Sequence, residues 1–549
     1  MSLQNLNRRP SFPGLNGWVL LVGAIALLPA TPILFVLSSL FAPTREVWAH
    51  LVATVLGRYV LNSVGLMLGV GLGVSLIGVS TAWLVTCCQF KGSRWLEWGL
   101  LLPLAAPAYL LAYVYTELLE FYGPVQGFLR SLFGWERVSD YWFPDIRSLG
   151  GAVLMLTLVL YPYVYLLART AFLEQSTCTL EASRSLGCTP WQSFYRVALP
   201  LARPAIAAGV ALALMETLSD FGTVEFFGVD TFTTGIYRTW FGMGERLAAS
   251  QLAAVLLLFI TGLILVERWF RRQARYHHTR SQTPPKHQLR SWRAAIAQLV
   301  CLLPLTLGFF VPAGVLLHMT LNNLGQLTDD RFWSFARNSF TLAALTAIVG
   351  VAIALILAYG IRLQPTVGTV LAVRIASIGY AVPGSVIAVG VLVPMGRLDN
   401  AIDATLRNTI GISTGLLLSG TIIALVFAYL VRFLAIALGS VESSLGRVKP
   451  SLDDAARSLG HTPSSTLLKI HAPLIRGGLL TAAILVFVDV MKELPATLIV
   501  RPFNFDTLAV RVYHLAADER LAEAAAPALA IVAVGVIPVI LLSRQMARS

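Results

Sequence analysis

Arg184-Ser185-Leu186-Gly187-Cys188-Thr189-Pro190 returns as Arg457-Ser458-Leu459-Gly460-His461-Thr462-Pro463, the same at six of seven positions and 273 residues later. That offset also pairs Pro200 with Pro473 and Arg203 with Arg476, while upstream Asn62-Ser63 pairs with Asn338-Ser339 at 276. A match that keeps its register over so long a stretch is an internal duplication. Each copy has a legible local shape. A short helix runs to Leu186 and is stopped by Gly187, because glycine accepts the left-handed C-terminal conformation. Thr189 then caps a second helix whose first position, Pro190, has no N–H to leave unsatisfied. Gly460, Thr462 and Pro463 repeat the arrangement. Two helices joined by a tight turn, present twice, read as a docking element more readily than as a passive connection.

What surrounds the repeat is strongly apolar. Of the 549 residues 56% are hydrophobic and 13% charged, about half the charge of an ordinary soluble chain. That balance excludes disorder over most of the length. Runs long enough to cross a bilayer lie near 17–40, 60–86, 96–118, 148–168, 204–225, 248–266, 294–318, 338–361, 371–395, 411–431, 477–500 and 525–543. The sequence therefore predicts an all-α polytopic membrane protein of about 12 transmembrane helices in two homologous six-helix halves. The polar, basic stretch 270–293 divides residues 1–269 from 294–549. Two homologous halves in one orientation form a parallel repeat, which commonly encloses a pathway on its pseudo-twofold axis.

Lysine and arginine number 41 against 28 acids. With the N-terminus inside, 26 of the 41 fall on cytoplasmic segments and 14 on outer loops, so the positive-inside rule places both termini on the cytoplasmic side. The excess of base thus reports topology, and nucleic acid is not an expected partner. His277-His278 in the linker read as solvated residues, since no second ligand cluster accompanies them. Cys87, Cys88, Cys178 and Cys188 fall on the inner side, where disulfides are rare. Gly65, Gly69 and Gly73 read as a helix-packing series.

The repeated segment resembles the EAA loop of ABC-importer permeases of the type I, MetI-like fold. The pattern stands as Glu181-Ala182-Ser183, Gly187 and Leu199-Pro200 near 180–203, and as Asp454-Ala455-Ala456, Gly460 and Ala472-Pro473 near 453–476. The resemblance implies that Glu181, Ala182, Gly187, Asp454, Ala455 and Gly460 couple the chain to two copies of a cytosolic ABC ATPase. ATP and Mg would be used by that partner, and this chain would bind no cofactor. A finer resemblance is to the fused ferric-iron transport permeases. Met215-Glu216-Thr217-Leu218-Ser219-Asp220-Phe221-Gly222-Thr223-Val224 carries it with Phe232-Thr233-Thr234-Gly235-Ile236-Tyr237-Arg238. So do Met491-Lys492-Glu493-Leu494-Pro495-Ala496-Thr497 and Phe505-Asp506-Thr507-Leu508-Ala509. It implies a periplasmic ferric-iron-binding protein as the donor. Fused thiamine permeases are close relatives, and a permease for thiamine or another small cation is the alternative within the family.

The chain holds no G-x-x-x-x-G-K-[ST] phosphate loop and no nucleophile with an adjacent base, so no enzyme activity is expected of it alone. Its chemistry lies in acids within apolar runs. Glu216 and Asp220 are four apart, as are Asp489 and Glu493 at the 273 offset. On one helix such a pair would share a face. Each charge near a bilayer centre costs ~2.5–3.5 kcal/mol on insertion scales, so these acids are expected to meet a polar interior and line a translocation path. An interhelical salt bridge through Lys492 is the structural alternative. Proton-coupled secondary transport is a further alternative, which the twin docking loops disfavour.

Overall fold

The structure is a computed structural model and describes residues 17–175, 185, 187, 189–272 and 287–546, apart from Thr44. Among the described residues ten helices are long and apolar enough to cross a membrane, and two bent pairs bring the number to twelve. The bent pairs are Ser93–Ala105 with Ala108–Phe133, at 89°, and Pro463–Leu474 with Arg476–Lys492, at 80°. The first break has a local cause. Pro107 drives Ala106 out of the helical region, to φ −101° and ψ 126°. Pro383 does the same to Val382, at φ −91° and ψ 128°, so the break recurs at the 276 offset. The apolar runs at 96–118 and 371–395 are therefore each divided by a proline. The helix after Pro383, Gly384–Ile410, extends well past the expected end, and the next begins at Ile422, not near 411.

Contacts separate the chain into two compact units that cut across the sequence halves. Among the described residues the smaller gathers 17–38, 339–491 and 500–504, and the larger those within 39–338, 492–499 and 505–546. Each half thus lends its first helix to the unit built mainly from the other half. In the smaller unit the helix Gly17–Ser38 lies against two glycines. A Cβ on Gly360 would come 2.4 Å from Val22, and one on Gly390 2.6 Å from the Pro32 carbonyl. In the larger unit, a Cβ on Gly308 would come 2.7 Å from the Leu158 carbonyl, and one on Gly535 2.0 Å from that of Ala105. The glycine series in the helix Leu56–Cys87 works the same way. Cβ atoms on Gly65, Gly69 and Gly73 would press within 3.3, 2.8 and 2.6 Å of Leu149, Val153 and Thr157. Small residues every fourth position let two backbones approach, the packing device expected within lipid.

Most of the basic linker lies outside the described residues, but its end is anchored. His287-Gln288 forms a short parallel strand pair with Cys88-Gln89, and Leu289 N–H donates to the Gln89 carbonyl at 3.0 Å. Gln298 Nε2 adds a bond to the Lys91 carbonyl at 2.8 Å. Residues 287–289 are thereby pinned to the turn after Cys87. Cutting the chain at Gln282 leaves that strand on the C-terminal fragment. The two fragments are expected to co-purify and to regain transport on co-expression. Two inserted fragments that fail to associate would show that covalent continuity itself is required.

Candidate functional site

The second copy of the repeated loop is described completely. Its helix, Ser451–Ser458, ends at Gly460 with φ 80°. Gly460 N–H bonds to the Arg457 carbonyl at 3.0 Å and His461 N–H to that of Ala456 at 3.0 Å, the paired closure of a Schellman turn. Thr462 Oγ1 then accepts from Ser465 N–H at 3.3 Å, with Pro463 at the first helical position. Asp454, Ala455 and Gly460 are all exposed, and Asp454 pairs with Arg457 at 2.7 Å. Beyond the turn the helix widens into a π-turn at Leu467–His471, where Ala472 N–H reaches back to Leu467. Pro473 explains it: the ring lacks an N–H and crowds the preceding turn, and a one-residue bulge relieves both.

The first loop repeats what is described of it. Gly187 has φ 83°. Thr189 Oγ1 accepts from Gln192 N–H at 3.3 Å, and Thr189 N–H donates to Gln192 Oε1 at 2.9 Å. The π-turn Phe194–Ala198 precedes Pro200 and stands 273 residues before its counterpart. Glu181 and Ala182 lie outside the described residues.

A cluster that the sequence reading missed holds the second loop. The Arg362 guanidinium, at the end of the helix Asp330–Leu363, donates to Asp453 Oδ2 from Nε at 2.9 Å and from Nη2 at 2.7 Å. It also reaches the carbonyls of Leu445 at 2.8 Å and Val448 at 2.9 Å. His471, fully buried, meets Asp453 Oδ1 through Nε2 at 2.6 Å. An ionised carboxylate only accepts, so Nε2 carries the proton. Burial alone would raise the Asp453 carboxyl; the hydrogen bonds from Arg362 and His471 outweigh it and hold the group below its ordinary value. Asp454, the acid aligned with Glu181, is exposed, whereas its neighbour Asp453 makes the internal contacts. The available signal was the asymmetry: at the repeat offsets, Arg362, Asp453 and His471 correspond to Thr86, Leu180 and Ala198.

The intramembrane acids are arranged differently from the expectation of two pairs on single helices. The helix Leu199–Ser219 ends one residue before Asp220, which is extended at ψ 135°. The helix Arg476–Lys492 ends just before Glu493. Glu216 and Asp489 lie within these helices, half-buried, whereas Asp220 and Glu493 cap the short helices that follow. Asp220 Oδ1 accepts from the N–H groups of Thr223 at 3.1 Å and Val224 at 3.2 Å, and Oδ2 from Thr223 Oγ1 at 3.0 Å. Glu493 Oε1 accepts from Ala496 N–H at 3.0 Å, while Oε2 takes Thr497 N–H at 3.0 Å and its hydroxyl at 2.8 Å. Periodicity could not show this, because an apolar run continues across a helix end without a break in pattern.

The two caps respond differently to loss of charge. In Asp220→Asn the remaining carbonyl oxygen still serves both N–H groups, and the new amide can donate to Thr223 Oγ1. Glu493 uses both oxygens for backbone N–H groups, so Gln would set an amide donor against a donor. Asp220→Asn is expected to leave thermal stability nearly unchanged, and Glu493→Gln to lose about 1–3 kcal/mol, the cost of an unsatisfied buried polar group. Melting of the purified protein distinguishes them; equal losses would refute the capping account.

The repeat is also legible as matched geometry. Asn62 Nδ2 donates to the Asp230 carbonyl at 2.9 Å, and Asn338 Nδ2 to the Asp506 carbonyl at 3.0 Å. Both carbonyls precede a threonine, Thr231 or Thr507, that opens a helix. Both partners shift by 276, so three residues are added between Glu493 and Asp506, where the sequence runs through Arg501-Pro502-Phe503-Asn504. No group of three His, Cys, Asp or Glu side chains among the described residues is placed to hold a metal ion.

Comparison with known proteins agrees with this architecture. A family model for the inner-membrane component of binding-protein-dependent transport systems matches residues 18–276. The chain is 27% identical to an Fe(3+)-transport system permease protein, FbpB 2, of Haemophilus influenzae, over 98% of this chain and 99% of the relative. It is 25% identical to a ferric transport system permease protein, FbpB, of Actinobacillus pleuropneumoniae, over 83% of this chain and 66% of the relative. The molybdenum transport system permease protein ModB of Escherichia coli is 29% identical over 36% of this chain and 86% of its own length. A family match over the first half, relatives that span both halves, and a helical duplication with two matched glycine turns make the chain similar along its length to inner-membrane permeases of binding-protein-dependent transport systems.

Proposed function

We propose that this permease carries ferric iron inward, receives it from a periplasmic ferric-iron-binding protein, and is driven by two copies of a cytosolic ATPase that hydrolyse ATP with Mg. The observation that carries the reading is the similarity to a ferric permease over 98% of this chain and 99% of that relative. The exposed Asp454, Ala455 and Gly460, with Glu181, Ala182 and Gly187 of the first copy, are assigned to ATPase docking, which sets both termini on the ATPase side. The path is assigned to Glu216 and Asp489 within their helices and to Asp220 and Glu493 at the helix mouths. Ferric iron is a hard cation that prefers oxygen donors, and a route of spaced acids lets it leave each one.

Uptake of radioactive iron by cells expressing the permease with its partners tests the reading. Iron is expected to enter in an ATP-dependent manner, and neither molybdate nor sulfate to compete. Glu216→Gln with Asp489→Asn is expected to lower iron flux while the complex assembles and ATP hydrolysis persists. Iron entry at the parental rate in that double variant would remove both acids from the path.

A further inference from the structure

Tyr109 and Tyr113 stand four apart on the helix Ala108–Leu119, their rings 5.7 Å apart. They are 5% and 2% exposed, and neither hydroxyl has a hydrogen-bond partner. A buried hydroxyl left without a partner costs ~1–3 kcal/mol, so a fold that keeps two of them side by side carries a penalty that phenylalanine would avoid. Their position is distinctive. A Cβ on Gly222 would fall 2.7 Å from Tyr109 Cβ and 3.0 Å from Leu494 Cδ2, so the foot of Tyr109 is wedged where the two repeat copies of the capping motif approach each other. The carboxylates of Glu493 and Asp220 both act electrostatically on Tyr109, and that of Asp220 on Tyr113. Phe221 and Tyr513 close the side of the cluster, 5.9 Å apart. Every one of these residues belongs to the larger compact unit.

We infer that Tyr109 and Tyr113, with Asp220 and Glu493 beside them, form a transient oxygen-donor site for a hard, highly charged cation on the translocation path. The inference rests on the reading of ferric iron as cargo and extends it to residues that family resemblance did not single out. Phenolate is a hard anionic oxygen, suited to such a cation. To ligate, the phenol must shed its proton, and a neighbouring carboxylate can take it: tyrosine, carboxylate and cation become a tyrosinate–metal bond and a carboxylic acid. The reverse transfer frees the cation. Because Asp220 and Glu493 already accept backbone N–H groups, the tyrosines supply donors that the capping role leaves unused.

Tyr109→Phe, Tyr113→Phe and the double variant test this, with Tyr161→Phe as control. The Tyr161 hydroxyl is also buried and without a hydrogen-bond partner, but its electrostatic neighbours are Tyr165 and Cys301. The purified full-length permease is titrated with ferric nitrilotriacetate and the ferric–phenolate charge-transfer band is recorded; iron uptake is measured in cells carrying the whole transport system. The parental protein and Tyr161→Phe are expected to show the band and full uptake. The double variant is expected to lose the band and at least tenfold in uptake, with thermal stability equal to or above the parental value. No band in the parental protein, a band that survives in the double variant, or parental uptake by that variant would overturn the site. So would a loss of uptake accompanied by lowered stability, which marks a packing role. If the parental system takes up no iron at all, the cargo assignment itself fails, and that result is read before any variant is compared.

Discussion

Gly460→Val is expected to uncouple the transporter: the permease inserts, but ATPase co-purification drops sharply and the hydrolysis that remains no longer drives uptake. Gly460 sits at φ 80°, and nothing lies within 4 Å of a Cβ built there. The penalty is therefore conformational, not steric. A left-handed backbone costs an L-residue about 1–2 kcal/mol, and β-branching adds to that. The Schellman turn relieves the strain by opening, which redirects the helix Ser451–Ser458 and its exposed Asp454 and Ala455. Asparagine tolerates the left-handed region better than other residues, so Gly460→Asn should recover most of the coupling. At Gly187, φ is 83° and the surroundings are equally open. Valine there is expected to act in the same direction but less severely, because the Arg362 clamp that prevents the second loop from relaxing has Thr86 and Leu180 at the matching positions of the first. Normal assembly and uptake in both valine variants would remove the turns from coupling.

Removing the clamp is expected to have the other large effect. Breaking a buried ion pair from one side costs ~3–5 kcal/mol; with the Arg362 and Asp453 side chains 16% and 19% exposed, about 2–3 kcal/mol of local stability is expected to be lost in Arg362→Ala or Asp453→Ala. The loss should concentrate on the helix Ser451–Ser458 and the turn after it, read as faster amide exchange over residues 451–466 with the membrane helices unaffected. The pH dependence has a definite sign. The folded-state value of Asp453 is depressed, so its contribution is complete above the unfolded carboxylate value near ~3.9 and is lost as pH falls through the lower folded value. Asp453→Asn should flatten that acid limb. If it persists unchanged, other groups are responsible.

Much of this was legible from residues alone. Gly187, Gly460, Thr462 and Pro463 announced a helix stop and restart, because each acts through its own backbone and one neighbour. The Gly65, Gly69 and Gly73 series announced close helix packing for a similar reason, and Leu149, Val153 and Thr157 supply the facing helix. The acids show where local reasoning stops. Asp220 and Glu493 looked like second members of helical pairs, yet each begins a new helix, since a run of apolar residues does not say where a helix turns inside the membrane.

By itself the sequence determined the duplication, the succession of apolar membrane-length helices and the place of both glycine turns. Those properties depend on composition, spacing and the short-range chemistry of glycine, threonine and proline. Only the tertiary structure decided that the first helix of each half joins the unit dominated by the other. It alone brought Arg362 to Asp453 and His471 from a segment about a hundred residues away, and set both Tyr109 and Leu494 against Gly222. The physical reason is common to all three. In lipid every exposed helix face is comparably apolar, so the partner of a helix is chosen by the fit of small residues against carbonyls and by the need of each buried polar group for a partner. Fit and partnership are properties of pairs of segments, and neither segment carries them alone.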